Sequence, residues 1–331
     1  MLPAPSRVDR VTYASAMAVV ALAGGVGAGK FLRGLVRVIP PEDLTVVVNT
    51  GDDLRLHGLH VSPDLDSVLY WLAGVADRER GWGRAGETFR ARDELARLGG
   101  EAWFALGDLD LATHLFRSHL LSEGRTLTEA TEELSRAFGV RARLLPMSND
   151  PVATRVQAVD TSGTALDLHF QEYWVARGAA DEVKGVGYAG ASAARPAPGA
   201  LEAIAGADAV LICPSNPVAS IAPVLAVPGI SEAVRRRRDR VAGVSPIVAG
   251  APLRGMADRL MPAAGLEVSA YGAASAYRGM VSAFLIDERD TGSASRIQAE
   301  LSIRVAATDT IMTDDAVAER VARAALSLVE A

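Results

Sequence analysis

The chain has 331 residues, 49% of them hydrophobic and 22% charged, and carries a formal net charge of −6. That composition is ordinary for a globular α/β enzyme and excludes a disordered or fibrous chain, while the acidic balance argues against a general nucleic-acid binder, which needs a basic face. A single cysteine, Cys213, excludes an internal disulfide framework and fits a reducing cytoplasm.

Residues 1–16 contain Pro3 and Pro5 and no apolar period, so they are read as a flexible N-terminal extension ahead of one α/β domain over 17–331. Arg7 and Arg10 precede the weakly apolar stretch Ala14 to Ala23 and imitate a signal peptide. That stretch, however, runs straight into a glycine turn and is needed as the first core strand. Truncation to Met17 is therefore expected to preserve activity and melting temperature; a large fall in melting temperature would show that the extension docks. No segment reaches the roughly 20 apolar residues that span a bilayer, so no membrane partner is expected.

The first strand, Val19-Val20-Ala21-Leu22, leads into the glycine-rich "GGVGAGK" and then Phe31-Leu32-Arg33-Gly34-Leu35, a strand, turn and helix in sequence. The phosphate-loop pattern holds from Gly24 through Lys30 and fails at Phe31, where a magnesium-binding hydroxyl belongs. The dinucleotide pattern fails as well, because its third glycine would be Lys30. What remains is an anion cradle: Gly25 and Gly27 permit close backbone approach, free N–H groups open the helix, and Lys30 reads either as a phosphate contact or as a solvated lysine on the first helix.

"LTVVVNT" at 44–50 is a β-branched run of the kind buried on both faces of a sheet. It ends in Asn49, Thr50, Gly51, Asp52 and Asp53. Ser62 then caps, and Pro63 opens, a helix with the apolar stripe Leu65, Val68, Leu69, Leu72. Residues 63 to about 140 read as a mostly helical insertion. Strand signals return at Arg143-Leu144-Leu145, "ALDLHFQEYWV", "ADAVLIC" (207–213), "VAGVSPIVAG" (241–250) and "LSIRVAATD"; a final helix, Asp314 to Val329, starts behind Thr313. "ASAARPAPGA" (191–200) is the one loose loop, and "RRRRDR" (235–240) is a solvated helix end. The predicted fold class is α/β, a Rossmann-like three-layer αβα architecture with a mostly parallel sheet and an α-helical insertion.

Ligands of open α/β sheets sit beyond the carboxyl ends of the strands. The glycine turn, the Asn49–Asp53 cluster, Pro214-Ser215-Asn216-Pro217 and Ser245-Pro246 all fall at such ends. Asp52, Asp53, Asp64 and Asp66 suit a hard cation, since Mg²⁺ prefers oxygen ligands; for Asp64 the alternative is a carboxylate that simply offsets the helix dipole. His57 and His60 lack further ligands at zinc spacing. His114 and His169 read either as polar core groups or as pocket walls, and Trp103 and Phe104 either as buried helix aromatics or as stacking surfaces. No G-x-S-x-G elbow marks a serine hydrolase.

"LAGGVGAGKFLRGL", "VVVNTGDDLRLHGLHVSPDLDSVLYWLAG", "GDLDLATHLFRS", "LLPMSNDPVATRV", "HFQEYWV", "PSNPVASI" and "SPIVAGAPLRGMADRLM" occur in that order between Leu22 and Met261, within a likeness that runs from about residue 18 to 330. Together they resemble the 2-phospho-L-lactate transferases of coenzyme F420 biosynthesis, including the bacterial phosphoenolpyruvate transferase members. The resemblance implies transfer of a phospho-acid from a guanosine-diphosphate-linked form to the hydroxyl of deazaflavin Fo, with GMP released and (dehydro) coenzyme F420-0 formed. It implies Mg²⁺ held by Asp66 and Asp52, the catalytic pair, and substrate contacts from Gly25, Gly27, Lys30, Asn49, Asp53, Asp64, Ser215 and Asn216. Ala105 stands before the L-G-D motif where some relatives carry a basic residue near the Fo ring, and Phe104 is placed to stack there. A cytoplasmic homodimer is also implied, and Asp66→Asn is expected to abolish transfer while leaving folding nearly intact. Two rival readings are a same-fold nucleotide-sugar-binding regulator without F420 chemistry and a nicotinamide dehydrogenase. The transferred acid is left open between phospholactate, phosphoenolpyruvate and phosphoglycerate.

Overall fold

The computed structural model describes residues 17–330, so the expected extension over 1–16 lies outside the described residues. Its centre is a seven-stranded sheet in the spatial order Arg304–Thr308, Ala283–Asp287, Val241–Val244, Ala209–Ile212, Val19–Ala23, Leu44–Val48, Arg143–Pro146, with every neighbouring pair parallel. The inner strands show no polar alternation because both faces are covered. Along the first strand, Val20 and Leu22 join one apolar layer, while Val19, Ala21 and Ala23 join the other. Helices close each layer, giving the three-layer α/β architecture that the uninterrupted β-branched runs predict.

The chain moves outward from Val19–Ala23 to Leu44–Val48 and Arg143–Pro146, then returns to Ala209–Ile212 on the other side and moves outward again. The order therefore reverses between Val19–Ala23 and Ala209–Ile212, and a crevice must open beyond their carboxyl ends. The helix Gly25–Leu35 starts directly at that crevice. Its far half packs closely on the final helix, where Gly34 lies against the backbone of Ala318.

Helices Pro63–Ala73, Arg90–Arg97, Asp108–Ser122 and Leu127–Ala137 make up the expected insertion. Two stretches of it are not helical. Gly81, Gly83 and Gly86 adopt left-handed backbone angles (φ 81°, 69° and 74°), which break the helical path between 74 and 89. Trp103 and Phe104, read as possible helix aromatics, stand instead in the irregular segment between Arg97 and Asp108.

Several strand expectations change. Ala153–Val159 and Glu182–Ala189 were not anticipated, and they flank one another in a three-stranded antiparallel sheet completed by Ala165–His169. The strand read through "ALDLHFQEYWV" stops at His169, after which Glu172–Ala176 winds into a helical turn. Ala283–Asp287 is a further central strand that the sequence reading missed. "VAGVSPIVAG" divides into Val241–Val244 and a short ribbon strand, Ile247–Val248.

The loop expected at 191–200 is not loose. Ala191, Ala194, Ala197 and Ala200 are buried, and the Ala197 N–H donates to the Met147 carbonyl at 3.1 Å; small side chains let this segment lie flat on its neighbours. The final helix runs Asp315–Glu330, capped not by Thr313 but by Asp314, whose carboxylate accepts from the Ala316 and Val317 N–H groups at 2.9 Å each. Ser62 likewise does not cap through its hydroxyl, which donates to Asp53 at 2.7 Å. His57 and Gly58 form the left-handed turn of the hairpin Leu54–Val61. Among the described residues no single helix is long and apolar enough to cross a membrane.

Candidate active site

The strand-end clusters meet in one cavity of about 670 Å³ at the reversal of the sheet. The glycines there serve proximity. A Cβ on Gly24 would lie 2.5 Å from the Asp64 carboxylate, and one on Gly27 would lie 2.3 Å from the Pro214 carbonyl oxygen. The Ser215 hydroxyl donates to the Gly24 carbonyl at 2.8 Å and ties the two loops across the crevice. Phe31 is fully buried in the core, so the departure from the phosphate-loop pattern at this residue is a packing requirement.

Asp64 is buried in the first turn of its helix, where Asn49 Nδ2 donates to it at 2.8 Å. Burial is the largest influence on its carboxyl, pushing the pKa up to about 7. Asp52 beside it is shifted well upward by burial first and by the Asp64 charge second. Gln171 Nε2 donates to Asp52 Oδ2 at 3.3 Å, while Asp52 Oδ1 is buried with no hydrogen-bond partner.

Asp66 is held differently. Both its oxygens receive the guanidinium of Arg117, with Nη1 at 3.1 Å from Oδ2 and Nη2 on Oδ1. Arg117 is 1% exposed, making this a buried ion pair. His114 Nδ1 stands 3.5 Å from Asp66 and its Nε2 3.4 Å from Asp110, and the Tyr70 hydroxyl donates to Asp110 at 2.6 Å. Burial pushes the Asp110 carboxyl upward, but the His114 and Tyr70 hydrogen bonds and the Arg117 charge outweigh it and leave the pKa below the ordinary value.

Gly25, Gly27, Lys30, Asp52, Asp64, Asp66, Phe104, Ala105, Ser215 and Asn216 all line the cavity. Asn49 and Asp53 stand behind it. Asn49 donates to Asp64 and to the Ala219 carbonyl and accepts from the Gly51 N–H; Asp53 is bound by His60 Nε2 at 2.8 Å and by Ser62. His114 is both core and wall, 1% exposed yet lining the cavity. His169 lies outside, with Nε2 3.1 Å from the Asp53 carbonyl.

Sequence reasoning did not single out Trp82, Trp174, Gln171 and Arg254, which also line the cavity, or Arg117 beneath it. Arg117 had a legible signal: Asp110, His114 and Arg117 recur at helical spacing on one face of an otherwise apolar segment. Trp82, flanked by Gly81 and Gly83, had none, because nothing local says which way a glycine-rich loop folds back.

Two donor sets bear on a divalent cation. Asp52 and Asp66 face the same cavity, and the unpartnered, buried Asp52 oxygen is an acceptor that a cation would satisfy. Asp66, Asp110 and His114 offer a second set, with ligand atoms within 4.8 Å of one another. The carboxylate oxygens fit Mg²⁺, whereas the imidazole in the second set suits a softer ion.

Fold and site define a doubly wound α/β protein with a glycine turn at the reversal of its sheet, lacking both the phosphate-loop hydroxyl and the dinucleotide spacing. The model of the 2-phospho-L-lactate transferase CofD family matches residues 19–327. The chain belongs to that family and is a transferase. A phosphoenolpyruvate transferase of Streptomyces griseus is 48% identical over 95% of this chain and 99% of its own length. A 2-phospho-L-lactate transferase of Methanosarcina acetivorans is 44% identical over 89% of this chain and 93% of its own length. Among solved structures, a UPF0052-family protein of Bacillus halodurans superposes with a TM-score of 0.60 at 19% identity, covering 94% of this chain and 99% of that one; this likeness shows the fold alone. Family membership sets aside the dehydrogenase reading.

Proposed function

We propose that the protein transfers a phospho-acid, phosphoenolpyruvate or 2-phospho-L-lactate, from its guanosine-diphosphate-linked form to the primary hydroxyl of Fo in coenzyme F420 biosynthesis. The hydroxyl oxygen attacks the phosphorus that bears the acid, the bond from that phosphorus to the bridging oxygen breaks, GMP departs with the bridging oxygen, and the hydroxyl proton is released. The observation that carries this reading is the single cavity that joins the glycine turn and Pro214–Asn216 on one side to the carboxylates and aromatic rings of the insertion on the other. Its volume lies within the usual range for small-molecule sites. The glycine turn and helix N-terminus receive the diphosphate, and Phe104, with Trp82 and Trp174, offers ring faces to the deazaflavin. Mg²⁺, held by Asp52 and Asp66, would supply charge neutralisation for the diphosphate. Residues 17–331 are read as one domain because the two apolar layers run without a break across the sheet. A homodimer is favoured by the exposed Leu109, Leu115 and Phe116 on the helix Asp108–Ser122; a cytoplasmic setting remains the expectation from the lone, buried Cys213.

The test is incubation with Fo and each candidate guanylyl diphosphate (phosphoenolpyruvyl, phospholactyl, phosphoglyceryl), with products read by mass spectrometry. One phosphodiester product and an equal amount of GMP are expected. No product with any donor would overturn the reading.

The two sides of the cavity should separate in binding measurements. Asn216 spends its side-chain oxygen on the Val218 and Ala219 N–H groups at 2.9 and 3.2 Å, which leaves its amide N–H₂ for a ligand. Asn216→Ala would therefore confound ligand loss with a cap loss of about 1 kcal/mol; Asn216→Ser keeps a capping oxygen and removes only the amide donor. We expect Asn216→Ser to weaken GDP and Phe104→Ala to weaken Fo, the latter by stacking worth about 1 kcal/mol. Separate titrations with GDP and Fo check the division, and an Asn216→Ser variant that weakened only Fo would move the guanylyl site away from this loop.

A further inference from the structure

Among the described residues lining the cavity, Lys30 and Arg254 are the full cations. Three cations nearby in the fold are committed to carboxylates, Arg117 to Asp66, Arg80 to Asp77 and Glu87, and Arg33 to Asp315, and Arg84 gives its guanidinium to the Leu109 carbonyl at 3.1 Å. Lys30 and Arg254 have no such partner among the described residues. The Lys30 ammonium reaches one carbonyl, that of Met312, at 3.5 Å, the outer limit of a hydrogen bond. Arg254 gives Nη1 to the Arg80 carbonyl at 2.6 Å and Nη2 to the Glu79 carbonyl at 3.4 Å. It thereby reaches from the segment after the Ile247–Pro252 ribbon to the glycine-rich loop on the other side of the cavity. Burial first and the Arg254 charge second lower the Lys30 ammonium below its ordinary range. Two like charges brought together without a counter-charge disfavour each other, and an anion between them removes that cost.

We propose that Lys30 and Arg254 form a two-cation subsite for an oxyanion at the phospho-acid end of the donor substrate, its terminal phosphate or its carboxylate, and that Arg254 is a specificity-determining residue of the transfer. The proposal rests on the transferase reading above. It follows from which charges of the cavity are already matched: Asp66 is spent on Arg117, whereas Lys30 and Arg254 line the same cavity without a carboxylate of their own among the described residues. A guanidinium matches the planar fork of a carboxylate or phosphate, and the Arg254 N–H groups not given to Glu79 and Arg80 carry no other hydrogen bond.

Titration calorimetry with GDP and with the GDP-linked acid, at low and high salt, tests the subsite on the unsubstituted protein, Arg254→Gln and Arg254→Lys. Arg254→Gln should raise the Kd of the linked acid about tenfold or more, the loss of one charge-assisted hydrogen bond, and should flatten its salt dependence. Arg254→Lys should recover much of the loss, with melting temperatures little changed. An equal loss for GDP assigns the oxyanion to the terminal phosphate; a loss confined to the linked acid assigns it to the carboxylate. An unchanged Kd for both ligands overturns the proposal, as does Arg254→Lys being as damaging as Arg254→Gln with a lowered melting temperature, which would make Arg254 a loop tie only. Failure of the unsubstituted protein to bind either ligand removes the donor assignment itself, and the subsite with it.

Discussion

Asp66→Asn is expected to abolish transfer and also to destabilise the protein by about 3–5 kcal/mol, the cost of breaking a buried ion pair by removing one partner. The stability loss revises the expectation from sequence that folding would be nearly intact. Asp66 does face the cavity, but its two oxygens also neutralise a guanidinium that is 1% exposed. Asparagine keeps one acceptor and no charge, so Arg117 would remain buried and uncompensated. Pairing Asp66→Asn with Arg117→Gln should restore part of the stability and none of the turnover, because the two residues share one interaction. Denaturant midpoints and transfer rates at saturating Mg²⁺ measure both effects. Near wild-type transfer in Asp66→Asn would remove this carboxylate from the chemistry, and a near wild-type midpoint would show that the Arg117 charge is satisfied elsewhere.

Gly27→Ala is expected to weaken the donor strongly while leaving every charged residue of the site in place. The added carbon would lie 2.3 Å from the Pro214 carbonyl oxygen, a backbone atom that no rotamer change can move. Either the helix start or the loop carrying Ser215 and Asn216 must shift. Overpacking of this kind costs about 1–3 kcal/mol, and a displacement of about 1 Å in a reacting site is worth up to ~100-fold in rate. Gly206→Ala is the control: nothing lies within 4 Å of its added carbon, so its stability should change by no more than about 0.5 kcal/mol. Melting curves and GDP titrations on both variants suffice. Normal GDP binding by Gly27→Ala would show that the close approach at the sheet reversal is no part of the nucleotide site.

What the sequence determined by itself is what local chemistry determines. Uninterrupted β-branched runs such as Leu44–Val48 are stable only with both faces covered, so a helix-flanked parallel sheet was legible. A glycine turn between a strand and a helix permits close approach, and here the Asp64 carboxylate lies beside Gly24. The spacing of Pro63, Asp64 and Asp66 placed carboxylates in a helix first turn, at the rim where the structure has them. The same local signals failed where a segment is stabilised by remote partners. "ASAARPAPGA" has a loop composition, yet four of its five alanines are buried, because the segment bonds to Met147 through Ala197 and pairs Pro196 with Ser148. Ala153–Val159 carries Arg155 and Gln157 on its alternate positions and becomes a strand by pairing with two others. Only the tertiary structure decided that Asn49 and Asp53 stand behind the wall they were expected to form, that Asp66 is tied to Arg117, and that Arg254 meets Arg80 across the cavity. Those contacts join residues 51 apart for Asp66 and Arg117 and 174 apart for Arg254 and Arg80. A residue's own neighbours specify its backbone and its face of a helix or strand; which distant charge shares its cavity is settled by the packing of whole layers, and no periodicity in one segment records it.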